Sequence, residues 1–145
     1  MREILELSTG QREELVDITR QVISAIHRLG VHDGVVHLYA QGATAALMIQ
    51  ENWDDSVPRD VVDLLQQHIP RGVWRHDAQD GNADSHLKAG IVGPSESIPV
   101  IAGQPGLSTW QGIFFCEFDG PRRRRTVVLS VTPLAGPGGA GGAAP

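Results

Sequence analysis

Apolar and polar positions alternate or recur along the chain in a way that predicts most of its elements. Glu3 to Leu7 alternates charged with apolar residues, the pattern of a half-buried edge strand. Ser8 and Thr9 then offer an N-cap, with Gln11 three residues after Ser8 as in a capping box. The stripe Leu15, Ile18, Val22, Ala25, Ile26 and Leu29 predicts a core-facing helix that stops at Gly30. Alternation returns at Val35 to Ala40, is interrupted by Gln41-Gly42-Ala43-Thr44, and resumes as an apolar strand over Ala45 to Gln50. After an acidic loop at Glu51 to Asp55, Ser56 and Pro58 open a helix with the face Val61, Leu64, Leu65 and His68, which Pro70 stops. Val73 to His76 reads as a short strand and Asn82 to Val92 as a helix ended by Gly93-Pro94.

The remaining apolar pattern predicts strands at Ser97 to Ala102, Leu107 to Phe118 and Arg124 to Thr132, joined as two consecutive hairpins. On the long strand, Gln111, Ile113, Phe115 and Glu117 share one face, and Trp110, Gly112, Phe114, Cys116 and Phe118 the other. Two or three helices on such strands predict an α+β fold: a single domain over residues 1–134, with a mixed, largely antiparallel sheet. Residues 135–145 are Gly, Ala and Pro only, which cannot build a core and predict a disordered tail.

Composition narrows the function classes. A formal net charge of -5 argues against general affinity for nucleic acid or acidic membranes. The run Arg122 to Arg125 reads as a solvated turn, because no RNA-binding motif accompanies it. No apolar run is long enough for a membrane span, and Met1-Arg2-Glu3 does not open a signal peptide, which gives the expectation of a soluble, cytoplasmic protein. The single cysteine, Cys116, leaves any metal to His and carboxylate ligands.

The densest chemistry lies between Trp74 and Lys88, WRHDAQDGNADSHLK, with imidazoles, carboxylates, two amides and two cations around a glycine. A turn at Asp80-Gly81 and a cap at Asn82 bring His76, Asp84 and His86 towards one helix start, where backbone amides attract anions. Glu117 is expected to join them from the long strand. The alternative for this stretch is an exposed, solvated loop, and for Glu117 an ion pair with one of Arg122 to Arg125.

The residues Thr44-Ala45-Ala46-Leu47, Glu51-Asn52, Asp60, His76, Asn82 to Ala89 (NADSHLKA), Ile98-Pro99-Val100, Gly103 and Thr109 to Ile113 (TWQGI) follow one another in a specific order and spacing. With Glu117 and Arg122 to Arg125 they make the chain resemble the YjbQ family, also called the secondary thiamine-phosphate synthase family, over residues 3 to 132. The resemblance implies a compact α+β fold, a homotrimer, and a polar pocket associated with anions or a divalent metal, zinc or magnesium. It also implies weak joining of a pyrimidine diphosphate to a thiazole phosphate with release of pyrophosphate. On that reading Glu51, Asp84 and Glu117 carry the catalytic carboxylates. Thr44, Asn82, Lys88, Ser108, Thr109 and Gln111 contact substrate or phosphate, and His76 and His86 are metal ligands. Glu51, Glu117, His37 or Cys116 is then needed as a third ligand. The competing role for the two histidines is hydrogen bonding to phosphate or acid–base work near neutral pH. A non-catalytic trimer that binds a phosphorylated metabolite or a metal is the alternative function. The chain departs from the family twice: Gly42-Ala43-Thr44 stands where the family reads His-Thr-Thr or His-Thr-Ser, and Ser108 stands where it has a glycine.

Overall fold

Eight strands and three α-helices build two antiparallel sheets in a computed structural model that describes residues 1–135. The tail prediction therefore falls almost wholly outside the described residues. In order, the elements are β1 (Arg2–Leu7), β2 (Glu14–Asp17), α1 (Thr19–Leu29), β3 (Gly34–Ala40), β4 (Ala45–Glu51) and α2 (Ser56–His68). A 3-10 turn (Arg75–Ala78), α3 (Ala83–Val92), β5 (Ser95–Ile101), β6 (Gln104–Pro105), β7 (Gln111–Glu117) and β8 (Arg125–Pro133) follow. One sheet has the order β1-β8-β3-β5-β6 and the other β2-β7-β4. The α+β class is as the pattern predicts, but the strands divide between two sheets and every recorded pairing is antiparallel.

The division follows from the two apolar faces of β7. Ile113 and Phe115 enter the main core, with Val22 and Ile26 of α1, Val36 and Leu38 of β3, and Leu129 and Val131 of β8. Cys116 and the following Phe118 enter a smaller core with Ala46 and Ala89, against which Leu15, Met48, Leu65 and Val92 pack. A strand apolar on both sides needs cover on both sides, so β7 lies between the larger sheet and the α2/α3 layer.

Three predicted features are corrected. The first helix begins only at Thr19; Leu15 lies on β2 opposite Cys116, and Asp17 receives the Thr19 amide at 2.9 Å in place of any Ser8 or Gln11 cap. Leu15 and Ile18 fit a strand and its exit as well as a helical stripe, and the open edge of β7 needs a partner for its amides. The two consecutive hairpins do not form, because β7 pairs with β2 and β4 while β8 pairs with β1 and β3. The short strand over Val73 to His76 is instead the approach to the 3-10 turn, held by Asp77, whose carboxylate accepts the Trp74 amide at 2.9 Å.

Candidate functional site

The 3-10 turn and the first turns of α3 bring the two histidines together. Asp77 spans the junction, accepting the Trp74 and Ala83 amides with its two oxygens, and these bonds hold its carboxyl below the usual carboxylate range. Asp77, not Asn82, thus satisfies an orphan amide of α3; the Asn82 side chain donates to Asp119 at 2.9 Å, and its own oxygen is buried without a partner. His76 and His86 stand edge to face with ring centroids 5.0 Å apart. They line a concavity of about 730 Å³ with Val73, Trp74, Arg75, Ala83 and Leu87.

The ring nitrogens differ in their commitments. His86 Nδ1 lies 3.2 Å from the Ala43 carbonyl oxygen, which only accepts, so Nδ1 carries the proton and Nε2 keeps its lone pair in the neutral ring. His76 Nε2 is buried without a hydrogen bond; an Asp80 carboxylate oxygen stands 3.5 Å away, outside bonding geometry. His86 Nε2 is therefore left without a hydrogen bond among the described residues, while His76 Nε2 is buried beside Asp80.

Asp84 and Glu117 do not reach this concavity. Both are fully buried behind it, each in its own ion cluster. Asp84 accepts from Arg12 Nη2 at 3.1 Å and Nη1 at 3.2 Å and from Lys88 at 2.9 Å, while the Lys88 ammonium also bonds Glu13. Glu117 accepts from Arg125 Nε at 2.8 Å and from Arg125 Nη2, from the Thr9 hydroxyl at 2.9 Å and from the Asp119 amide at 2.9 Å. Arg125 Nη2 also donates to the Thr44 hydroxyl at 2.9 Å. Burial pushes both carboxyls up, but the bonds and charges of Arg12 and Lys88, and of Arg125, Asp119 and Thr9, outweigh it and hold both below their ordinary values. A buried carboxylate must be paired, and each of these has found cations inside the chain. The alternative reading of Glu117, an ion pair with an arginine of the 122–125 run, is the one the structure takes.

The expected convergence of His76, Asp84, His86 and Glu117 is thus corrected to a histidine pair in front and two ion clusters behind. Bonds from Ser85 to the Phe118 carbonyl and from Asn82 to Asp119 tie the layers together. Lys88, placed at phosphate by its residue type, is buried between two carboxylates. Glu51, Ser108, Thr109 and Gln111 lie elsewhere: Gln111 pairs with Glu51 at one end of β7 and Glu117 with Ala45 at the other, about 20 Å apart at strand rise. Gln111 accepts the Ser108 amide at 2.9 Å, and Glu51 the Asp54 amide at 3.0 Å. Sequence reasoning missed Arg12, Glu13 and Asp77. A carboxylate ahead of a helix start was a signal for Asp77, but nothing local marks Arg12 as the partner of a residue 72 positions away.

The described residues do not complete a metal site by themselves. A catalytic zinc needs three protein ligands. His76 and His86 offer two, the carboxylates behind them are occupied, and position 42 is glycine. Among the described residues no group of three His, Cys, Asp or Glu is arranged to hold an ion.

Residues 3–133 match the family model described as UPF0047 protein YjbQ-like. A UPF0047 protein of Methanocaldococcus jannaschii is 47% identical over 123 residues, covering 85% of this chain and 88% of its own. YugU of Bacillus subtilis is 38% identical over 127 residues, covering 86% and 94%. Among solved structures, a YbjQ-like protein of unknown function from Sulfolobus solfataricus superposes with a TM-score of 0.88 at 30% identity, covering 92% of this chain and 97% of its own. A YjbQ/UPF0047 family protein of Clostridium acetobutylicum gives 0.84 at 37% identity, covering 90% and 99%. With one family spanning nearly every described residue in both sequence and fold, the chain belongs to the YjbQ (UPF0047) family.

Proposed function

We propose that this chain binds a small phosphorylated metabolite at the His76/His86 concavity, as one subunit of a homotrimer. The observation that carries the reading is the pair of imidazoles 5.0 Å apart lining the concavity, with His86 Nδ1 given to the Ala43 carbonyl and its Nε2 left without a hydrogen bond among the described residues. An imidazole ring nitrogen can bond phosphate oxygens or exchange a proton with a bound molecule. Val73, Trp74 and Leu87 supply apolar walls suited to the body of a heteroaromatic compound.

Thiamine-phosphate synthase activity, which the family resemblance suggests, is the less supported form of this reading. Release of pyrophosphate calls for a cation held by carboxylates, and here Asp84 and Glu117 are neutralised by Arg12, Lys88 and Arg125. The proposed trimer draws support from α2, none of whose residues is buried, and from the exposed edge-to-face pair Trp53 and Trp110.

Calorimetric titration with the thiazole phosphate and the pyrimidine diphosphate, beside a substrate-depletion assay, tests the reading. His76→Ala and His86→Ala are expected to weaken binding about tenfold each, the loss of a hydrogen bond to a charged group. Circular dichroism of both variants should remain that of the parent. Parent-like binding by both variants refutes the site, and depletion of both substrates with formation of pyrophosphate would establish the synthase form.

A further inference from the structure

The guanidinium of Arg125 is only partly used. Its Nε and Nη2 face Glu117 side-on and Nη2 also reaches Thr44, yet Nη1 has no hydrogen bond among the described residues. The side chain is 8% exposed, so this donor belongs to a residue more than nine-tenths buried. Nη1 stands at Gly42: a Cβ built there would lie 2.8 Å from Nη1 and 3.8 Å from Cζ. Gly42 is not among the residues of positive φ, so space and not backbone conformation requires the missing side chain.

Two residues on, Thr44 receives Nη2, and between them the Ala43 carbonyl receives His86 Nδ1. The corner 42–44 is therefore flanked by a histidine and an arginine, each with a nitrogen unused by the protein. Thr9 and the Asp119 amide also donate to Glu117, so its four bonds are met without Nη1.

We propose that Gly42 opens a window through which Arg125 Nη1 binds a phosphate-type oxyanion, forming an anion subsite beside His86. The inference deepens the phosphorylated-metabolite reading and rests on it for the rest of the ligand. With Nε and both bonds of Nη2 taken by Glu117 and Thr44, Nη1 is the guanidinium nitrogen left to donate a charge-assisted hydrogen bond to an anion oxygen. A cation at this corner would meet a guanidinium, which selects anions over divalent metals.

The test titrates inorganic phosphate and the thiazole phosphate into the parent, Gly42→Ala, Arg125→Lys and His86→Ala, with thermal melts as the folding control. Gly42→Ala puts a methyl against Nη1 at little cost to the backbone; Arg125→Lys keeps a charge but loses the Nη1 donor. Both are expected to weaken phosphate binding about tenfold or more, the loss of one charge-assisted hydrogen bond. If the folded variants among these two bind phosphate as the parent does while His86→Ala weakens the ester, the subsite is wrong and the metabolite reading stands. If they lose phosphate while His86→Ala binds the ester normally, the subsite stands without the histidine. A parent that binds neither probe overturns both.

Discussion

Glu117→Gln isolates the charge at the centre of the fold. The amide keeps the shape of the carboxylate but turns one acceptor into a donor, although four donors converge on it: Arg125 Nε and Nη2, the Thr9 hydroxyl and the Asp119 amide. At least one donor loses its partner, and Arg125 keeps its charge in a buried setting without a counter-ion. Removing one member of a buried ion pair costs about 3–5 kcal/mol, which for a domain of this size is a fall of roughly 10–20 °C in Tm. Urea unfolding with an unchanged m value and a matching thermal melt would measure it. The double variant Glu117→Met/Arg125→Met separates charge from packing: if uncompensated charge is the cause, it recovers most of the loss. A loss below about 1 kcal/mol in the single variant, or no recovery in the double, refutes the reasoning.

The same pairing sets a pH dependence. The carboxyls of Glu117 and Asp84 sit below their unfolded values, so the unfolded chain binds more protons as acid is added. Their stabilisation is complete above the unfolded pKa, about 4 to 4.5, and is lost as pH falls through the folded values; a parent Tm that holds steady down to about pH 3 would contradict this. Cys116 is fully buried and its thiol is pushed up to about 12 by burial and the Glu96 charge, so alkylation at neutral pH should need denaturant, and labelling of the native protein would show that β7 opens. Light scattering at micromolar concentration should report three times the chain mass, and a clean monomer would remove the proposed trimer. Deleting residues 136–145 should leave Tm unchanged, since Gly, Ala and Pro offer little to bury; a drop of several degrees would mean that the segment docks.

Local pattern made β3, β4, α2 and α3 legible because each announces its own period and its own stop. It misread Leu15 and Ile18, whose spacing suits a helix but whose real constraint is the edge of β7, nearly 100 residues later. The histidine pair was readable because a ten-residue spacing with a turn between is a local constraint. The partners of the carboxylates were not, since Arg12 with Asp84 and Thr9 with Glu117 are 72 and 108 positions apart. Residue type alone assigned Lys88, Asp84 and Glu117 to a ligand; burial decides whether such groups serve a ligand or each other, and burial follows from tertiary packing.

The threading of residues 9–12 alongside 117–122 gives the protein a temporal property. Thr9 donates its amide to Arg122 and receives the Arg122 amide on its hydroxyl, while the Gly120 amide reaches the Arg12 carbonyl. Among the described residues β1 likewise pairs only with β8. A nascent chain that has emerged as far as α3 carries both histidines, yet it lacks Arg125, which orders the corner facing His86, and Phe118 and Asp119, which anchor Ser85 and Asn82. The Thr9–Arg122 bonds alone close a loop of more than 100 residues, which makes the topology slow by contact order. The corner facing His86 should therefore become ordered late in synthesis, when the final strand is released to join β1 and β3.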